Sequence, residues 1–92
     1  MSYSFTVRAA TKAEAKEKIA AEFDKVVEGQ PAHATDRAAA EAAAGAFVDL
    51  LGEPADGQVV QAVVHGSLGW RGEGDYTSAN VGVQASIVLA GL

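Results

Sequence analysis

The sequence predicts an α+β fold: a two-layer sandwich in the order β-α-α-β-β, with a three-stranded antiparallel sheet covered on one face by two helices. The chain begins with an alternating segment, continues with two segments of helical periodicity, and closes with two alternating runs around a glycine-rich loop. Strand side chains alternate with a period of two, whereas helical side chains repeat about every 3.6 residues. Three strands with one apolar face each need a cover, and the two helices supply it.

The first strand is indicated by an alternation near the N-terminus. Its apolar positions are Tyr3, Phe5, Val7 and Ala9, and the intervening polar positions are Ser4, Thr6 and Arg8. This pattern is typical of a strand with one buried and one wet face. A first helix follows, because Thr11 and Glu14 form a capping box. Apolar residues then recur at helical spacing at Ala15, Ile19, Phe23 and Val26, before the stop signals Gly29 and Pro31.

A second helix is predicted to start near Thr35 or Asp36, either of which can cap it, and to run to about Leu51. Gly52 and Pro54 end it. Its middle, RAAAEAAAGAF, has high helix propensity apart from the glycine and little side-chain bulk, which predicts close approach of a neighbouring element. Phe47, Leu50 and Leu51 give the segment an apolar end.

The last third of the chain predicts a β-hairpin. One face of its first strand carries Val60, Ala62, Val64, Gly66, Leu68 and Trp70, and the other carries Val59, Gln61, Val63, His65, Ser67 and Arg71. The second strand places Ala79, Val81, Val83, Ala85, Ile87 and Leu89 on the core side and Ser78, Asn80, Gly82, Gln84 and Ser86 on the other. The loop between them is RGEGDYT. The pattern leaves open which hairpin edge the first strand joins.

Composition narrows the class of protein. At 92 residues the chain is expected to form one domain, and its net charge of −5 argues against non-specific nucleic-acid binding. It has no cysteine, so disulfides and thiolate metal sites are excluded. No signal peptide or apolar run of membrane-spanning length is seen, so we expect a cytoplasmic protein without a membrane partner.

His65 and Ser67 raise the question of a catalytic pair. Side chains at positions i and i+2 of a strand lie about 7 Å apart, too far for direct contact, and HGSLG lacks the first glycine of a nucleophile elbow. Gly66 and Gly69 are interpreted as relieving crowding or permitting a bend. Glu73 and Asp75 are too few for a calcium loop, and His33 and His65 are too isolated for zinc. We therefore expect no enzyme activity, no metal and no cofactor.

The sheet face turned away from the core is the more informative feature, because its residues are mostly neutral hydrogen-bonding side chains. Such a face suits contact with another protein surface, and face-to-face stacking or edge pairing would build a homo-oligomer. The alternatives are a small-molecule site on this face and a plain solvated sheet. Trp70 either closes the core or anchors a ligand beside Arg71. The ligand or interface candidates are Arg8, Gln61, His65, Ser67, Trp70, Arg71 and Gln84.

Two segments, SYSFTVRAATKAEAKEKI and HGSLGW, resemble small uncharacterised proteins encoded by tailed bacteriophages and prophages. The resemblance covers most of the chain in general character and brings no functional residues with it. It implies expression in the cytoplasm of a bacterial host and an accessory or assembly role. Together with the sheet face, this predicts a non-enzymatic interaction protein that self-associates and binds a macromolecular partner.

Overall fold

The computed structural model describes residues 2–28, 34–68 and 80–91. Its elements follow the predicted order: β1 (Ser2–Ala9), α1 (Lys12–Val26), α2 (Ala34–Asp49), β2 (Gln58–Ser67) and β3 (Asn80–Leu89). The three strands form one antiparallel sheet in the order β1-β2-β3. The first strand therefore joins the edge of β2, which becomes the central strand. This confirms the predicted α+β class and decides the edge that the pattern left open.

The pairing register places matching faces together across the sheet. Val64 of β2 lies opposite Phe5 of β1 and Val83 of β3, and the same alternation holds along all three strands. Both helices lie on this inner face, α1 chiefly against β1 and α2 chiefly against β3. The core-facing assignment is thus confirmed for the described strand residues, except that Leu89 at the end of β3 is mostly exposed, whereas Trp70 and Ala79 lie outside the described residues. The centre of the hydrophobic core is formed by fully buried residues, namely Ala15, Phe23, Ala44, Val48, Val60, Ala62 and Val64.

An aromatic cluster joins α1 to β1. The Phe23 ring lies edge-on to Tyr3 and Phe5, with ring centroids 5.1 and 5.2 Å away. At its start, α1 is capped as predicted, because the backbone N–H of Glu14 donates to Thr11 Oγ1 at 3.1 Å. The helix ends at Val26, and Val27 is its C-cap. The predicted stop residues Gly29 and Pro31 lie outside the described residues.

The second helix spans Ala34–Asp49, within two residues of the predicted start near Thr35 or Asp36 and the predicted end at about Leu51. It begins at Ala34, so Thr35 and Asp36 lie inside its first turn and are not its cap. It ends at Asp49, two residues before the predicted end at Leu51. Phe47 and Leu50, expected to form its apolar end, are 48% and 81% exposed. The core is contacted instead by the small residues Ala40 and Ala44 and by Val48, because these recur at helical spacing on the side that faces the sheet.

The two helices run antiparallel and are joined by ion pairs at both ends. Lys16 Nζ of α1 lies 2.8 Å from Asp49 Oδ1 of α2, and at the other end Arg37 of α2 pairs with Asp24 of α1. Small side chains between these pairs permit the predicted close approach. A Cβ added at Gly45 would lie 3.4 Å from Lys16 Cδ, so the lysine stem packs directly against this glycine.

Candidate functional site

The outer face is the side of the sheet turned away from the helices. We define it by Ser2, Ser4, Thr6 and Arg8 of β1, by Val59, Gln61, Val63, His65 and Ser67 of β2, and by Asn80, Gly82, Gln84, Ser86 and Val88 of β3. The register aligns these residues in rows across the three strands, since each pairs with another member of the set. Arg8 is the only Lys, Arg, Asp or Glu in the set.

Side-chain hydrogen bonds link neighbouring strands at the two ends of the outer face. At one end, Arg8 Nε donates to Gln61 Oε1 at 2.8 Å. At the other end, Asn80 Nδ2 donates to Ser67 Oγ at 3.0 Å. Four polar side chains are thereby held along the sheet instead of extending into solvent. The pairs order the ends of the face and leave Val63 between Thr6 and Gln84 at its middle.

The His65 ring crosses from β2 to β3. A Cβ added at Gly82 would lie 2.4 Å from His65 Cε1 and 2.6 Å from Nε2, so the imidazole occupies the space that a side chain at position 82 would fill. The histidine is exposed, and its ring lies across the sheet on the neighbouring strand. Ser67 instead accepts from Asn80. Neither contact is that of a base holding a serine hydroxyl, which would need the two side chains within hydrogen-bond distance.

On the inner face, the Tyr3 side chain occupies the space beside Gly66 of β2. Its hydroxyl passes over Gly66 of β2 and donates to the backbone oxygen of Asn80 on β3 at 3.2 Å. Burial raises the pKa of this phenol above its ordinary value, because the phenolate would lose hydration. A Cβ added at Gly66 would lie 2.1 Å from the Asn80 oxygen. Gly66 therefore relieves crowding, which is the structural interpretation that the sequence suggested.

Two cavities lie away from the middle of the outer face. An open groove of about 480 Å³ runs between the helices and is lined mainly by small residues, among them Ala20, Ala38, Ala42 and Gly45. A smaller cavity of about 90 Å³ lies between α2 and the ends of β2 and β3, with Asp36, Ser67 and Asn80 in its wall. Asp36 Oδ2 is buried without a hydrogen-bond partner. Sequence reasoning assigned this carboxylate to helix capping and did not identify the cavity.

Five of the seven predicted site residues belong to the described chain, and all five lie on the outer face. The structure brings Arg8 to Gln61, and it places Gln84 opposite Val63. Trp70 and Arg71 lie outside the described residues, as do His33, Glu73 and Asp75. Within residues 2–28, 34–68 and 80–91, no group of three His, Asp or Glu side chains is placed to hold a metal ion. Neither described helix is long and apolar enough to cross a membrane.

Comparison with known proteins found no match to a protein-family model, a curated protein or a solved structure.

Proposed function

We propose that this protein is a non-enzymatic interaction protein that self-associates and binds a protein partner through its outer face. The observation that carries the proposal is a nearly uncharged sheet surface with both described helices on the opposite side. Charged residues are depleted at the centres of protein interfaces, because their desolvation is costly. The acidic and basic side chains of this chain lie mostly on the helices, so the outer face carries little charge to desolvate.

The shape of the outer face favours a protein over a small molecule. Small-molecule sites are concave and usually enclose about 300–1,000 Å³. On this face the His65 ring fills the space beside Gly82, and Arg8 pairs with Gln61 across two strands, so side chains occupy both places. The cavity beside Ser67 measures about 90 Å³. That is the volume of roughly three water molecules.

A small-molecule binding module is the second candidate function. The cavity beside Ser67 favours it, because Asp36 contributes a buried carboxylate oxygen that has no partner. Of the outer-face set, Ser67 and Asn80 at the end of the sheet also line this cavity. A ligand at one hundred times its Kd raises the free energy of unfolding by about 2.7 kcal/mol. A dose-dependent rise in Tm with a metabolite or nucleotide, lost in Asp36→Ala and kept in Glu17→Ala, would favour this candidate over the first.

Site-specific photocrosslinking in the expressing cell tests the protein-binding proposal. A photoreactive phenylalanine analogue is placed at Gln84, which is exposed on the outer face, and in a control at Glu17, which is exposed on α1. We expect discrete protein adducts from position 84 and none from position 17. Adduct formation should fall when Val63 is changed to lysine, because a charge would be introduced at the middle of the contact surface. Equal adduct patterns from positions 84 and 17 would contradict the proposal.

The resemblance to phage and prophage proteins extends the proposal to the setting of the interaction. We propose that the partner is a phage assembly component or a bacterial host protein in the host cytoplasm. Mass spectrometry of the adducts from position 84 tests this. A phage or host protein that recurs in replicate infections is the expected result, and adducts made only with the protein's own copies would contradict it.

A further inference from the structure

The two edges of the sheet differ in how their backbone is protected. Lys18 of α1 donates from Nζ to the backbone oxygen of Arg8 at 2.7 Å, so a lysine side chain covers part of the β1 edge. Lysines are a common protection of edge strands, because pairing with another chain would displace or bury their charge. β3 has no charged residue along its whole length, NVGVQASIVL. The β3 strand therefore brings no charge of its own to its edge.

The register shows which backbone groups of β3 are available. The N–H of Ala90 donates to the Gly57 oxygen at 2.8 Å, so even-numbered residues of β3 direct their backbone groups toward β2. The N–H and C=O groups of the odd-numbered residues, from Val81 to Leu89, therefore point away from the sheet. Among the described residues, no hydrogen bond outside the β2–β3 ladder reaches these groups. Within residues 2–28, 34–68 and 80–91, they form a row of donors and acceptors without a partner along the ten residues of β3.

An incompletely buried apolar border lies beside this edge. On β2 the core residues Val60 and Val64 are 0% exposed, whereas their partners Ile87 and Val83 on β3 are only partly buried. Leu89 is 59% exposed. Phe47 of α2 lies on the same border, because it follows by two helical turns the alanines of α2 that line the cavity beside Val81. Exposed apolar surface next to an unpaired strand marks a docking edge.

A second copy of the chain fits this edge. Antiparallel pairing of β3 with β3 about a two-fold axis at Ala85 sets Val83 opposite Ile87 and Val81 opposite Leu89. Only odd-numbered residues then exchange backbone hydrogen bonds, and the apolar side chains of both copies stay on the helix side. Because β3 carries no charge, the symmetry brings no like charges together. The β3 edge is about 34 Å long, and the sheet and helix layers beside it are together about 15 Å deep. Pairing would therefore cover roughly 500 Å² on each copy, or about 1,000 Å² in total, which is the lower bound for a specific interface.

We propose that this protein forms a two-fold dimer through the β3 edge, giving a continuous six-stranded sheet with four helices on one face. This rests on the proposed self-association and names its surface and its partner, a second copy of the chain. It leaves the outer face of both copies side by side and open to another protein. Gln84 lies beside the proposed dimer contact, so its adducts with a second copy report the dimer and its adducts with any other protein report partner binding. Either proposal can therefore fail while the other stands.

Light scattering with size-exclusion chromatography tests the dimer in solution. We expect the mass of the protein to be twice its 9.4 kDa. The double variant Gln84→Lys with Ser86→Lys sets lysines opposite one another across the proposed axis, and we expect about a tenfold or greater weakening of the dimer. Both positions are exposed, so the fold of each copy is retained, as far-UV circular dichroism will show.

The matched control places the same charges on the other edge, as Ser4→Lys with Thr6→Lys, both also exposed. We expect this variant to remain dimeric. Equal loss of the dimer in both variants would indicate face-to-face stacking and would overturn the proposal. Loss in the control alone would assign the contact to β1, and a monomer at every concentration would also overturn it.

Cysteine crosslinking tests the register, because the chain has no cysteine of its own. In the proposed pairing, Gln84 lies opposite Ser86 of the second copy in a non-hydrogen-bonded pair with Cα atoms about 4.5 Å apart. That distance suits a disulfide. We expect rapid oxidation when the Gln84→Cys and Ser86→Cys proteins are mixed, and slow oxidation of either alone. Rapid oxidation of Gln84→Cys by itself would overturn the axis at Ala85, and oxidation in none of the mixtures would overturn the edge.

Discussion

Two glycines on adjacent strands provide a matched test of how the sheet is packed. A Cβ added at Gly66 would lie 2.1 Å from the backbone oxygen of Asn80 and 2.8 Å from the Tyr3 hydroxyl. At Gly82 an added Cβ would meet His65 ring atoms at 2.4 and 2.6 Å. The distances are similar, but the obstacles differ. The backbone at Asn80 is held by the sheet, whereas the exposed histidine ring can rotate into solvent.

The expected change in the free energy of unfolding follows from these contacts. Gly66→Ala overpacks the site at about 1–3 kcal/mol and breaks the Tyr3–Asn80 hydrogen bond at about 1 kcal/mol. Gly66 also has φ 158°, which residues with a Cβ rarely adopt, so backbone strain cancels the entropic gain that alanine usually brings. The net loss is about 2 kcal/mol or more, which lowers Tm by at least about 8 °C in a domain of this size. Gly82→Ala keeps the entropic gain, so we expect it to stay within about 1 kcal/mol of the natural protein.

Urea denaturation followed by far-UV circular dichroism measures both changes, with linear extrapolation to water. The comparison is made at one protein concentration, because self-association would raise apparent stability. The reasoning is refuted if Gly66→Ala unfolds within 0.5 kcal/mol of the natural protein, by the usual size of a neutral surface change. It is also refuted if Gly82→Ala is the more damaging substitution of the two.

Three further predictions follow from burial and charge. Val64→Asp should unfold the domain at a cost above about 3 kcal/mol, because an unpaired carboxylate enters the core. His65→Ala should keep the circular dichroism spectrum of the natural protein, because its side chain lies on the outer face. The reverse result would contradict the assignment of faces. Burial raises the pKa of Tyr3 above 10.0 in the folded protein. The contribution of the neutral phenol to the free energy of unfolding is therefore complete below pH 10.0 and is lost as pH rises through the pKa of the folded state. Tyr3→Phe should therefore flatten the alkaline fall in Tm, and an unchanged alkaline limb would contradict this. The hydrogen bond from Lys16 lowers the pKa of Asp49 below 3.8, so the stabilisation is present above that pH and is lost as pH falls through the folded value. Lys16→Gln should bring the Asp49 pKa, followed by carboxyl NMR, back toward 3.8.

Most of the fold could be predicted from local pattern. The alternation in β2 and β3 identified the buried residues Val60 and Val64, and Thr11 identified the start of α1. The start of α2 was predicted to within two residues but its capping residue was not, because Thr35 and Asp36 are equally acceptable as caps and as first-turn residues. Phe47 was misjudged for a related reason. In a helix made largely of alanine, the apolar pattern does not indicate which side faces the sheet.

The candidate site was predicted as a set of residues without its contacts. Alternation alone places Arg8, Gln61, His65 and Gln84 on one face, because neighbouring side chains of a strand point to opposite sides. The hydrogen bond from Arg8 to Gln61 depends on the register of β1 against β2, because the two residues lie 53 positions apart in the chain. The cavity at Asp36 and the unprotected edge of β3 depend on which elements pack together. Neither can be recognised from a single segment.

The amino-acid sequence by itself determined the order of the elements and which side of each strand is buried, because a period of two or 3.6 is a local property of the chain. The tertiary structure alone decided that β2 is central, that Lys18 lies against the β1 edge, and that β3 is an edge strand with a partly buried apolar row. These features arise from contacts between distant segments. Their free energy depends on how whole layers pack, and no local periodicity encodes it.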